Sequence, residues 1–246
     1  MKLILLPDAA QAVATAARVI GELIATRPHA VLGLATGGTM EPLYARLVAA
    51  HRAGLGFSRL RTVNLDEYLG LAPDHPNSYH RYMAGHLFDH VDVPPDQIFI
   101  PRGDLAPGHA AADYAATLHR LGPVDLQLLG IGGNGHIGFN EPGTPIDAPT
   151  RVVDLLPGTI QANARFFADP TQVPRQAVTM GTAAILSARE VLVLATGSAK
   201  ARALAAALDG PIGPDCPASW LRAHPNCTII ADAEAGRLLH RLPRAA

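Results

Sequence analysis

The chain has 246 residues, 48% of them hydrophobic and 17% charged, which excludes a disordered segment and suits a packed α/β protein. A chain this long buries roughly three quarters of its unfolded surface, so it needs no staples; its two cysteines, Cys216 and Cys227, suit neither a disulfide framework nor a zinc site. A net charge of −1 with no basic run argues against nucleic acid, "MKLILLPDAAQ" is too short in its apolar core for a signal peptide, and no apolar run is long enough for a bilayer; a soluble cytoplasmic protein is expected, with no nucleic-acid or membrane partner.

"LILL" (3–6) reads as a first strand and is followed by the helix-period segment "AAQAVATAARVIGELIA" (9–25). "AVLGLA" (30–35) leads through "TGGT" into a helix over "MEPLYARLVAAH" (40–51). "LRTVNL" (60–65) ends against Asp66 and Glu67, and a loop separates it from the helical "SYHRYMAGHLFDH" (78–90). "QIFI" (97–100) precedes "GHAAADYAATLHRL" (108–121), and "VDLQLLGI" (124–131) runs straight into "GGNGHIGFNEPG". Later strands are "AVTM" (177–180), "EVLVLA" (190–195) and "CTIIAD" (227–232), each beside helical sequence. Near-continuous apolar strands alternating with helices predict a single α/β domain built on a mostly parallel, doubly wound, Rossmann-like sheet with helices on both faces. No linker, composition break or internal repeat divides it. The least regular stretch, about 140–175, is expected to form a mobile cover.

In such a sheet ligands bind beyond the carboxyl ends of the strands. In "GLATGGTMEPLY" (33–44), Gly37 and Gly38 can turn backbone N–H groups toward an anion and Thr39 adds a hydroxyl; a tight turn capped by Thr39 explains the same residues. "LATGSAKARAL" (194–204) repeats the pattern with Gly197, Ser198 and Lys200. Of 20 basic residues only Lys2 and Lys200 are lysine, so Lys200 is the sole interior one. A lysine in the first turn opposes the helix dipole unless an anion lies between them, and a compact ammonium suits that task. Neither stretch has the spacing of a nucleotide-binding P-loop, and together they point to a phosphorylated small molecule.

"RTVNLDEYLGL" (61–71) ends its strand on a carboxylate pair. Such pairs are often exposed turns, but a partly desolvated carboxylate at a sheet's carboxyl edge can take a carbon-bound proton beside a carbonyl. Asp66, nearer the strand end, is the preferred base, with Glu67 directed toward structure. Gly130, Gly132 and Gly135 match G-x-G-x-x-G only formally, because no helix follows, and a dinucleotide is rejected. His136 differs from the other ten histidines in following an apolar strand within a glycine frame that lets backbone approach a ligand. With Asn134 and Glu141 in reach, the carboxylate is expected to raise the imidazole pKa and fix its tautomer, giving a proton shuttle. No second ligand at metal spacing accompanies it, so no metal is expected.

"NLDEYLGL", "LGIGGNGHIGFNEPG", "TGGT", "ARFF" with "QVPRQAVTMG", and "GSAKA" resemble the glucosamine-6-phosphate deaminase family, over about residues 30–232. The resemblance implies conversion of glucosamine 6-phosphate and water to fructose 6-phosphate and ammonia, without metal or organic cofactor. It implies that His136 moves the ring-opening proton, with Asn134 and Glu141 tuning it, and that Asp66 carries the C2 proton to C1. It assigns the phosphate to Gly37, Gly38, Thr39, Arg165 and Lys200, and a lid to 140–175. Asn134 stands where some members have Asp, which predicts a shifted pH optimum. The chain resembles a shorter, non-allosteric branch, so hyperbolic kinetics in a monomer or small homo-oligomer are expected. The alternatives are a 6-phosphogluconolactonase, whose corresponding loop reads more like D-G-H-T-A-S-L-F-P, another sugar-phosphate isomerase, or a non-catalytic sugar-phosphate sensor. Glucosamine and galactosamine phosphates differ at one hydroxyl and are not separated by these motifs.

Overall fold

The computed structural model describes residues 1–240. Strand β1 (Lys2–Leu6) leads into α1 (Ala9–Thr26), whose N-terminus is capped by Asp8 accepting the Gln11 N–H at 2.8 Å. The buried stripe Ala12, Val13, Ala16, Ile20, Leu23 and Ile24 follows the helical period that the sequence displays. The alternation continues through β2 (Val31–Leu34), α2 (Glu41–Arg52), β3 (Arg61–Asn64), β4 (Asp66–Tyr68), α3 (Tyr79–His86), β5 (Ile98–Phe99) and α4 (Pro107–Leu121). Then come β6 (Leu126–Leu129), β7 (Arg151–Asp154), α5 (Pro157–Asn163), β8 (Gln176–Thr179), α6 (Thr182–Leu186), β9 (Glu190–Ala195), α7 (Ala201–Asp209), β10 (Cys227–Asp232) and α8 (Ala233–Gly236).

Seven strands form one sheet in the order β1-β10-β9-β6-β2-β3-β5, with every pairing parallel. Every residue of β2 and β6 is buried, the pattern of strands covered on both faces. From β2 the chain moves outward through β3 to β5, returns to β6 on the other side of β2, and continues through β9 to β10. The winding therefore reverses between β2 and β6. Loops leaving the carboxyl ends of these two neighbours diverge and leave a crevice, where open α/β sheets bind ligands. The TGGT turn follows β2 and the GGNGH loop follows β6.

Two expectations are corrected. The "AVTM" strand does not join the main sheet, and Asp66 and Glu67 do not end the 60–65 strand but open a strand of their own. Instead β4, β8 and β7 form a separate antiparallel sheet, with Asp66 opposite Thr179 and Glu67 opposite Val178. Leu65 is the hand-over: its N–H donates to Leu34 of the main sheet (3.2 Å), while its carbonyl accepts Met180 N–H beside the small one (2.7 Å). The stretch 140–175 is also more regular than its prolines suggest, since it holds β7 and α5. Tyr68, Phe139, Leu155, Phe167, Val173 and Ala177 form a small second core there, beside the main one. Among the described residues no helix is long and apolar enough to cross a membrane.

Candidate active site

A cavity of about 880 Å³ opens over the crevice between β2 and β6. Its wall includes Gly37, Gly38 and Thr39 from the turn after β2, Asp66 from β4, His136 from the loop after β6, Arg165 beyond α5, and Lys200 before α7. Asn134 and Glu141 stand behind this wall and touch the loop rather than the cavity. A second cavity of about 530 Å³, around Lys2, Glu190 and Asn226, contains none of the candidate residues.

His136 sits where it does because Gly132 has no side chain. A Cβ there would lie 2.2 Å from the imidazole ring, so the ring packs directly on Gly132. Gly132 N–H donates to the His136 carbonyl at 2.9 Å and Gly135 N–H to the Gly132 carbonyl at 3.0 Å, closing the loop on itself. Nδ1 of His136 is buried with no partner among the described residues. Glu141 does not bond the ring. It accepts Asn134 Nδ2 at 3.0 Å and Leu156 N–H at 3.1 Å, and Asn134 Oδ1 accepts the His136 backbone N–H at 3.2 Å. The expected rise in imidazole pKa is corrected in sign: burial pushes it below its usual value, Lys200 adds to that, and Glu141 only partly opposes them. The neutral imidazole is favoured, as a proton acceptor requires.

Asp66 is 5% exposed and its carboxyl faces Gly138, where a Cβ would stand 3.2 Å from Oδ2. Gly138 also adopts a φ of 55°, a conformation disfavoured for other residues, so both space and backbone call for glycine. Burial, reinforced by the charge of Glu67, raises the Asp66 pKa to about 8, with the Phe139 N–H acting the other way. Tyr68, Tyr79 and Phe139 line the same cavity and pack together, with Tyr79 and Phe139 stacked at 6.2 Å. Glu67 turns to the opposite side of β4, as expected, and is fully buried. It accepts the N–H groups of Tyr68, Tyr79 and His80 and meets His80 Nδ1 at 3.0 Å, tying β4 to the start of α3.

The two glycine turns are not equivalent. Gly37 has φ 110°, no side chain caps α2, and Thr39 is left facing the cavity, so the capping alternative for Thr39 fails. Gly197 N–H is already held by both Asp232 oxygens at 3.0 Å, so that turn contributes Lys200 rather than its glycine amide. Lys200 Nζ donates to the Ile131 carbonyl at 2.8 Å. Burial and the neighbouring Arg165 lower its pKa. Two cations thus converge on one cavity wall without a carboxylate partner among the described residues, an arrangement that suits an anion. Among the described residues no cluster of three or more His, Cys, Asp or Glu side chains could hold a metal ion.

Residues 7–230 match the family described as glucosamine-6-phosphate isomerases/6-phosphogluconolactonase. The chain belongs to this family. A glucosamine-6-phosphate deaminase of a Geobacillus species is 53% identical over 89% of this chain and 88% of its own. A solved structure described as a monomeric glucosamine-6-phosphate deaminase superposes with a TM-score of 0.95 at 45% identity, covering 97% of this chain and all of that one. The 6-phosphogluconolactonase of Leishmania guyanensis, at 23% identity and TM-score 0.77 over 96% of this chain and 97% of its own, shares the fold alone. Within this family fold the sequence reading missed the aromatic wall and Tyr82, whose hydroxyl donates to the Gly37 carbonyl at 2.9 Å. The available signal was the Tyr79–Tyr82 spacing, which puts both on one side of α3, but it reads equally as a core stripe.

Proposed function

We propose that this chain is a glucosamine-6-phosphate deaminase, converting glucosamine 6-phosphate and water to fructose 6-phosphate and ammonia. One observation carries the reading: an acid–base pair, Asp66 and His136, opens into the same cavity as Gly37, Gly38, Thr39, Arg165 and Lys200. The phosphate is held by that second group. Neutral His136 accepts the O1 proton of the ring sugar and returns it to O5, releasing the C1 aldehyde; Glu141 and Asn134 hold the loop, and Glu141 opposes excess depression of the imidazole pKa. Asp66 then takes the C2 proton, giving an enolamine, and delivers it to C1. Water adds to the resulting C2 iminium, and ammonia leaves as the ketone forms. A buried base with a pKa near 8 is a stronger proton acceptor than an ordinary carboxylate, and the cationic amine of the substrate favours its ionised form on binding.

The same reading takes residues 140–175 as a lid within one domain, because Ala162, Asn163 and Arg165–Phe167 reach the cavity rim. A soluble, cytoplasmic, monomeric enzyme with hyperbolic kinetics accords with the monomeric relative. The test is ammonia release from glucosamine 6-phosphate and galactosamine 6-phosphate, beside hydrolysis of 6-phosphogluconolactone. Ammonia from the first supports the reading. Lactone hydrolysis without ammonia from either amino sugar overturns it.

A further inference from the structure

The loop that carries His136 and Glu141 is gripped from outside by a segment that supplies no group to the cavity. Between α7 and β10 the chain closes on itself: Ser219 Oγ bonds both the N–H and the carbonyl of Gly213, at 3.0 and 3.1 Å, and Arg222 Nη1 donates to the Gly210 carbonyl at 2.7 Å. Ser219 is fully buried, so this closure is part of the core. From it, four contacts reach the catalytic loop. Ala218 N–H donates to the Gly135 carbonyl at 2.8 Å, one residue before His136. Cys216 Sγ packs so closely on Gly135 that a Cβ there would lie 2.6 Å from it. The Pro214 carbonyl accepts Gly143 N–H at 2.9 Å, and Trp220 Nε1 donates to the Thr144 carbonyl at 3.1 Å.

The last two contacts bear on Glu141. The turn that carries it is closed by Thr144, whose N–H and hydroxyl both donate to the Glu141 carbonyl, at 3.0 and 2.7 Å. Holding Thr144 therefore holds Glu141. Three of the four contacts come from backbone or simple packing, which many residues could supply. The fourth comes from the chain's one tryptophan.

We propose that the 213–220 segment is a brace for the catalytic loop and that Trp220 is a positioning residue, its indole N–H fixing the Glu141–Thr144 turn so that Glu141 stays aligned behind His136. The proposal rests on His136 and Glu141 acting in ring opening. Trp220 touches no substrate, so its loss is felt in kcat and not in phosphate capture.

Because there is a single tryptophan, the test can remove one N–H and nothing else: expression with the benzothiophene analogue of tryptophan replaces this indole by an isostere lacking the donor. Deamination of glucosamine 6-phosphate is measured for wild type, the isostere protein, Trp220→Phe, Glu141→Gln and the Trp220→Phe/Glu141→Gln double variant. One lost hydrogen bond predicts kcat down roughly three- to ten-fold with KM changed less than about two-fold. The decisive arm is the cycle. A residue acting through Glu141 leaves the double variant no slower than Glu141→Gln alone, whereas a merely structural role multiplies the two losses. Unchanged kcat in the isostere protein, or multiplicative losses in the cycle, overturns the proposal. Should Trp220→Phe fail to fold, the isostere protein, tested with and without Glu141→Gln, gives the same two readings. A wild type that releases no ammonia refutes the assigned reaction instead, which keeps the two failures apart.

Discussion

Asn134 donates its side-chain N–H to Glu141 at 3.0 Å, so the two side chains lock to each other and not to the imidazole of His136. The amide does what a carboxylate could not, since Asp at 134 would face Glu141 without a donor. Two carboxylates at that distance share a proton or repel each other. A shared proton keeps the net charge of the present pair, whereas two ionised carboxylates add one negative charge beside His136 and raise its pKa from its depressed value. Loss of activity at low pH follows protonation of His136, so Asn134→Asp should move the acidic limb of kcat to higher pH. Full pH–rate profiles of both proteins check this, and superimposable acidic limbs would count against any tuning by residue 134.

Asp66 links activity and stability in opposite directions. Its replacement by Asn removes the proton carrier while keeping its shape, and should lower kcat by roughly 10²–10⁴-fold with KM nearly unchanged. The wild-type carboxyl has a folded pKa near 8, well above the 3.8 ordinary for an aspartate in an unfolded chain. A raised folded pKa means its favourable contribution is complete below the unfolded value and is lost as pH rises toward 8. Asp66→Asn has no charge to bury, so relative to wild type it should gain roughly 3 kcal/mol of stability between pH 6 and pH 9. Urea unfolding at the two pH values measures the difference; parallel curves would show that Asp66 is not buried in the form described.

The main sheet was legible because its inner strands are buried on both faces and therefore appear as apolar runs; 190–195 and 227–232 coincide with β9 and β10 to the residue. The glycine turns after β2 and β9 and the His136 loop were legible as strand-end turns, because glycines just after such a run mark where the chain leaves the sheet. The small sheet was not. β4 is three residues, two of them acidic, and only its register with β8, far along the chain, makes it a strand. Nor could periodicity reveal that Asp232 takes the Gly197 N–H, or that burial outweighs Glu141 at the imidazole. Both depend on which distant groups folding brings within a few ångströms.

Tyr82 supports the glycine turn after β2 without being part of it. Its hydroxyl is the side-chain donor to the Gly37 carbonyl, which also accepts the Met40 N–H at 2.8 Å. Tyr82→Phe leaves the ring in place and leaves that carbonyl with the Met40 N–H alone, loosening the turn proposed to meet the anion at Gly37 and Gly38. KM for glucosamine 6-phosphate should rise roughly three-fold with kcat within about two-fold, since one neutral hydrogen bond remote from the reacting carbons is lost. Initial-rate kinetics decide it; a fall in kcat at constant KM would place Tyr82 in the chemistry instead.

Lys200 makes a sharper case, because its charge reaches both the anion site and the imidazole. Nζ is held at the Ile131 carbonyl, where burial and the Arg165 guanidinium disfavour its charge until an anion arrives. Lys200→Met should raise KM by roughly 10–100-fold, the cost of one charge-assisted contact to phosphate, with a smaller effect on kcat. It also lifts the depression that Lys200 imposes on His136, so the acidic limb of kcat should move to higher pH. Lys200→Arg keeps the charge but presents a planar fork where a compact ammonium fits, and should rescue the pH profile better than KM. With unphosphorylated glucosamine the KM penalty of Lys200→Met should vanish. If it persisted there, Lys200 would be holding the Ile131 end of the His136 loop rather than the phosphate.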